Sequence, residues 1–146
     1  MGAWETETGV LKLPDGRVVR GTGVRCRRRG ASAPEFAIYL LGKDPRIEAW
    51  PYRWTKWPEF RTPANTFNAV AALSEAHERA MTERVEIACS GGVGRTGTAI
   101  ALLAVMSGVA ADDALAWARA HYHPRAVETR GQKRWLRDAA RSVHGG

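Results

Sequence analysis

Cys89 and Arg95 flank five residues, Ser90-Gly91-Gly92-Val93-Gly94, and Thr96 follows at once. Three of the five are glycines, so the backbone can turn tightly and aim successive N–H groups at one point. A cysteine at the mouth of such a turn should be held as a thiolate, the nucleophilic form. An arginine closing the turn offers a planar fork of donors that fits two oxygens of a phosphate. These residue types at this spacing describe a nucleophile beneath an oxyanion-binding cradle.

Such a cradle needs a strand to deliver it and a helix to receive it. Residues 85–89 are apolar on both faces save Glu86, which predicts a central strand. A helix is expected from about 95 to 107, stopped by Gly108. Its N-terminal dipole would favour an anion in the cradle. Upstream, 10–13 and 17–20 read as a hairpin around Pro14-Asp15-Gly16, and 21–34 reads as a loop. A strand is expected at 36–41, and a second at 47–54, weakened by Pro51 to an edge or irregular strand. Residues 57–63 should form an exposed loop, with Pro63 opening a helix that runs to about Met81. Asp112 or Asp113 can cap a third helix through about Tyr122. A fourth starts near Thr129 and carries Trp135, Leu136, Ala139 and Val143. The alternation predicts an α/β sandwich with a central, largely parallel sheet flanked by helices.

Composition narrows the class. The 146 residues fit one domain, 45% are hydrophobic and 25% charged, as in ordinary globular proteins. No apolar run approaches the length of a membrane span, and the polar start of the chain has no signal-peptide pattern, so a cytoplasmic protein is expected. Two cysteines do not make a disulfide framework, and Cys26 reads as a bystander. The four histidines are scattered without metal-ligand spacing, so no metal is expected. Net charge is +7, part of it in Arg25-Cys26-Arg27-Arg28-Arg29. No aromatic residue interleaves that run, so it reads as a solvated loop that draws in anions rather than as a nucleic-acid surface. The Gly-Lys-Ser/Thr triplet of a nucleotide-binding P-loop is missing.

Ala88-Cys89-Ser90-Gly91-Gly92-Val93-Gly94-Arg95-Thr96-Gly97 resembles the phosphate-binding loop of the cysteine-dependent protein tyrosine phosphatase superfamily. Trp57-Pro58-Glu59-Phe60-Arg61-Thr62-Pro63 is similar to that family's Trp-Pro-Asp loop, with glutamate for aspartate. Val127-Glu128-Thr129-Arg130-Gly131-Gln132 resembles the glutamine loop of its small bacterial members. The three motifs span residue 36 to the end, while the hairpin and basic loop of 1–35 are weakly constrained. The resemblance implies a single cysteine-phosphatase domain over 1–146, closest to compact bacterial or dual-specificity members. It implies a phosphomonoester hydrolase, a protein-tyrosine phosphatase with dual specificity open, that needs no cofactor. A monomer is expected, binding phosphorylated protein and, as simple ligands, phosphate, vanadate or sulfate. The cradle carries no lysine, which disfavours phosphoinositides.

The family scheme assigns each residue a task. Cys89 would attack phosphorus and carry the phosphocysteine. The backbone of Ser90, Gly91, Gly92, Val93 and Gly94 would bind phosphate, and Arg95 would grip two oxygens. Thr96 would donate a hydrogen bond to the sulfur. Glu59 would be general acid in the first step and base in the second, with Asp44 as the upstream rival. Gln132 would either position the hydrolytic water or serve only as the end of a Thr129-x-x-Gln132 capping box. Two departures, Ala88 where the family has histidine and Glu59 for aspartate, support an alternative: a pseudophosphatase that binds phosphorylated partners without efficient turnover.

Overall fold

A computed structural model describes residues 4, 6–26 and 30–144. Glu5 and Arg27, Arg28 and Arg29 of the basic run lie outside the described residues. Strands β1 (Val10–Lys12) and β2 (Val18–Gly23) form the antiparallel hairpin that the Pro14-Asp15-Gly16 turn predicts. β3 (Phe36–Leu41), β4 (Tyr52–Lys56) and β5 (Val85–Cys89) complete one sheet in the order β1-β2-β5-β3-β4. β5 is central and pairs in parallel with β2 and β3, and β3 pairs in parallel with β4. The last residues of the parallel strands, Gly23, Leu41, Lys56 and Cys89, therefore share one end of the sheet. Ligand-binding crevices of α/β sheets form at such carboxyl ends.

Four helices follow the expected order: α1 (Thr66–Arg79), α2 (Gly94–Met106), α3 (Ala114–His121) and α4 (Arg130–His144). Every residue of α2 from Gly94 to Val105 is buried. A helix apolar all round must be enclosed, and α2 packs against β5 and β2 and against α1, α3 and α4. Residues 19, 36, 38, 40, 85, 87 and 89 of the sheet join the main core with all four helices. The opposite face buries Ala37, Tyr39 and Ala88 under Ile47, Trp50 and Tyr52. No helix among the described residues is long and apolar enough to cross a membrane.

Three elements have bounds that differ from the sequence reading. β2 continues through Gly23, where a loop was expected, because its parallel pairing with β5 runs to Gly23↔Cys89. A 3₁₀ turn, Val24–Cys26, follows. The edge strand starts after Pro51 and extends two residues past Trp54. α1 starts at Thr66 rather than at Pro63, because the Asn65 side chain accepts from the Asn68 N–H at 3.0 Å and caps the helix there.

Candidate active site

The cradle grows directly out of β5. Cys89 is buried, and its Sγ accepts a hydrogen bond from the Gly92 N–H at 3.1 Å. Gly92 adopts φ +76°, a left-handed conformation that glycine takes without strain. A β-carbon there would lie 2.6 Å from the Gly23 nitrogen, so glycine also lets β2 come up against the back of the turn. The Arg25 N–H donates to the Ser90 carbonyl at 3.1 Å, and the Tyr122 hydroxyl donates to the Gly92 carbonyl. Burial, reinforced by Cys89 nearby, pushes the Tyr122 phenol above its ordinary range, so it remains a donor. No side chain caps the N-terminus of α2, and its first turn holds no acidic residue. First-turn amides lack partners within their helix, so they are free for an anion.

Arg95 is buried beside the cradle. Its Nη1 donates to the Trp57 carbonyl at 2.9 Å, and its Nη2 stands 3.7 Å from Glu59 Oε1. The loop at 57–63 is exposed only at its centre, whereas Trp57 and Pro63 at its ends are buried. The Trp57 N–H donates to the Leu41 carbonyl at 2.9 Å, its indole N–H to the Arg61 carbonyl at 2.6 Å, and its ring meets Trp135 at 5.1 Å. These anchors hold Glu59, half exposed, over the arginine. Asp44 is turned elsewhere: it accepts from the Tyr52 hydroxyl at 2.6 Å and from the Arg46 N–H at 2.9 Å. That Tyr52 hydrogen bond, first among its causes, holds the Asp44 carboxyl below the usual range. Trp54 lies on the edge strand with its indole N–H on the Leu41 carbonyl at 2.9 Å.

Two residues sit differently from the family scheme. The Thr96 hydroxyl donates to the Thr22 carbonyl at 3.3 Å rather than to the sulfur, tying α2 to β2. Gln132 is fully buried and both halves of its amide are engaged. Its Oε1 accepts from the Glu128 N–H at 2.9 Å and its Nε2 donates to the Arg61 carbonyl at 3.1 Å. The Gln132 N–H donates to Thr129 Oγ1 at 3.1 Å, which is the threonine half of the capping box. Gln132 thus pins the acid loop to the turn that starts α4. Gln132→Ala should leave both the Glu128 N–H and the Arg61 carbonyl without this partner, each bond worth about 0.5–1.5 kcal/mol, readable as a lower urea midpoint.

Cys89, Glu59, Phe60 and Arg95 line a pocket of about 110 Å³ together with Arg25, Glu128 and the cradle backbone. Arg25, Phe60 and Glu128 were not singled out from sequence. Phe60 has φ +62° and Val127, before Glu128, has φ +66°, but positive φ at such residues leaves no mark in composition. A larger cleft of about 630 Å³ lies behind the cradle, between residues 6–9, the end of β2 and Tyr122. It is lined by Cys26, Arg20 and Glu7, whereas Cys89, Arg95 and Glu59 converge on the small pocket. Ala88 is buried opposite Tyr39 and Thr22 in the sheet register, and the cradle is braced instead by Arg25, Thr96 and Tyr122.

A family model described as protein-tyrosine phosphatase matches residues 29–132. No curated protein matches the sequence. Among solved structures the chain is similar to Tk-PTP in its active form, with TM-score 0.70 and 21% identity over 92% of this chain and 98% of that one. It is similar to kinase associated phosphatase carrying serine at its catalytic-site cysteine, with TM-score 0.68 and 11% identity over 98% and 99% of the two chains. DUSP15 follows at TM-score 0.64 and 14% identity, over 95% and 97%. At these identities the structural likenesses establish the fold.

Proposed function

The chain belongs to the protein-tyrosine phosphatase family, and from that premise we propose that it hydrolyses phosphotyrosine in proteins through a phosphocysteine on Cys89. One observation carries this reading: the Gly92 N–H on Cys89 Sγ at 3.1 Å stands in the same pocket as a buried Arg95 already fixed at 2.9 Å to the acid loop. Nucleophile, phosphate clamp and acid are assembled before substrate arrives, so little ordering is left for the reaction itself.

In the first step the Cys89 thiolate attacks phosphorus while Arg95 and the amides of 90–95 take up the equatorial oxygens. Glu59, protonated, delivers its proton to the leaving oxygen. Water then cleaves the S–P bond and returns the thiolate. Phe60, exposed on the rim of the same pocket, offers a ring face to the tyrosyl group. Thr96 and Gln132 act as braces of the cradle and of the acid loop.

A panel of phosphotyrosine, phosphoserine and phosphothreonine peptides, assayed with EDTA present, tests the substrate class. Faster turnover of the serine and threonine peptides would refute the tyrosine assignment. Glu59→Gln should lower kcat on a phosphotyrosine peptide by about 10²–10⁴-fold with tungstate affinity nearly unchanged. If Asp44→Asn does this and Glu59→Gln does not, the acid is misassigned.

A further inference from the structure

Glu128 enters the catalytic pocket from a different loop than Glu59. Its position is built at a cost. Val127 is buried and β-branched, yet it holds φ +66°, a strained conformation that persists only where the surroundings enforce it. The enforcement is visible. Arg119 donates to the Ala126 carbonyl and to the Val127 carbonyl, each at 2.9 Å. Ala126 packs so closely on α2 that a β-carbon at Gly97 would lie 2.5 Å from its own. Gln132 Oε1 fixes the Glu128 N–H.

The carboxylate ends against the cradle. A β-carbon at Gly94 would collide with Glu128 Oε1 and stand 2.9 Å from its carboxyl carbon. Among the described residues Glu128 makes no ion pair, whereas Glu59 faces Arg95 at 3.7 Å. Gln132, the other group available to handle water, has both ends of its amide engaged.

Resting on the covalent reading above, the geometry points to Glu128 as the base of the second step. Water's oxygen bonds to phosphorus as the S–P bond breaks, and the electron pair of that bond returns to Cys89 as thiolate. One proton of the water passes to Glu128 and then to solvent, and inorganic phosphate leaves. Glu59 keeps the first step, protonation of the leaving oxygen. Glu128 is a catalytic residue in this scheme because its carboxylate touches the attacking water.

Rapid-quench kinetics with p-nitrophenyl phosphate on wild type, Glu128→Gln and Glu128→Ala separate the two steps. Both variants should keep a stoichiometric burst of nitrophenol while the steady rate falls about 10²-fold, the usual worth of a general base. Acid-quenched protein should then carry phosphate on the Cys89 peptide by mass spectrometry, where wild type carries little. A steady rate in Glu128→Gln equal to wild type overturns the base, even if Glu128→Ala is slow, since the amide can still orient water. Equal loss of burst and steady rate overturns it too. Turnover by Cys89→Ser would instead remove the covalent intermediate itself, and the role of Glu128 with it.

Discussion

Cys89→Ser should lose steady turnover of p-nitrophenyl phosphate by at least about 10⁴-fold, the scale on which enzymes lose rate when their nucleophile is removed. The argument runs from the sulfur outward. Sulfur is a far better nucleophile and leaving group than an alcohol oxygen. The Gly92 N–H holds the Cys89 sulfur at 3.1 Å. A serine hydroxyl ionises far above neutral pH, so the same hydrogen bond leaves it protonated and weak. It is also a poor leaving group for the hydrolytic step. The cradle itself does not change, because the glycines, the uncapped start of α2 and Arg95 are intact. Tungstate should therefore bind Cys89→Ser within a few-fold of wild type in calorimetry. Arg95→Lys supplies the contrast. It keeps the charge but loses the fork that reaches the Trp57 carbonyl and two phosphate oxygens together. Both tungstate affinity and kcat should fall there, kcat by about 10²–10³-fold. Retention of more than about 1% of wild-type rate by Cys89→Ser would exclude nucleophilic attack by the sulfur.

The contrast between these residues and Glu128 explains what could be read from the chain. Cys89, the glycines and Arg95 are contiguous, and their chemistry follows from a backbone turn that local sequence dictates. The central strand and enclosed helix on either side are predominantly apolar runs, so their pattern survives folding. Glu59 could be picked out as the candidate acid because Trp57 and Pro63 frame it, and those same residues are buried anchors of the loop. The position of Glu128 is set by contacts that no sequence pattern displays: Arg119 on the carbonyls before it, Gly97 of α2 and the amide of Gln132. Gln132 itself read equally as a water-positioning group or a cap, and its neighbours alone cannot reveal the carbonyl of Arg61 waiting 71 residues away. The same holds for Tyr122, whose hydroxyl reaches back to Gly92. The start of α1 shifted by three residues because proline at 63 and asparagine at 65 both favour a helix entrance, and only the side chain of Asn65 completes a cap.

Glu86 is the one polar residue in the apolar run of β5, and Glu86→Ala should cost about 3–5 kcal/mol of stability, the penalty for stranding a buried charge. Glu86 is fully buried, and Arg20, its neighbour across the parallel register, is nearly so. Arg20 Nε donates to Glu86 Oε1 at 2.9 Å, its Nη1 donates to Glu7 at 2.7 Å, and the guanidinium lies 4.1 Å from the Trp4 ring. Alanine at position 86 would leave that buried cation with Glu7, at the rim, as its carboxylate partner among the described residues. Typical domains hold only about 5–15 kcal/mol in total, so a drop of this size should be plain in the urea midpoint. Replacing both partners, Arg20→Met with Glu86→Leu, should recover most of the loss, because apolar side chains of similar volume need no partner in the dark of the core. A Glu86→Ala cost below about 1 kcal/mol would mean that water reaches Arg20 and that the pair is not structural. The effect should also reach the chemistry. Arg20 lies two residues before Thr22, whose carbonyl holds Thr96, and three before Gly23, which abuts Gly92. Loosening β2 against β5 loosens the wall of the cradle, so Glu86→Ala should weaken tungstate binding even at temperatures where the protein remains folded, while the double variant restores it.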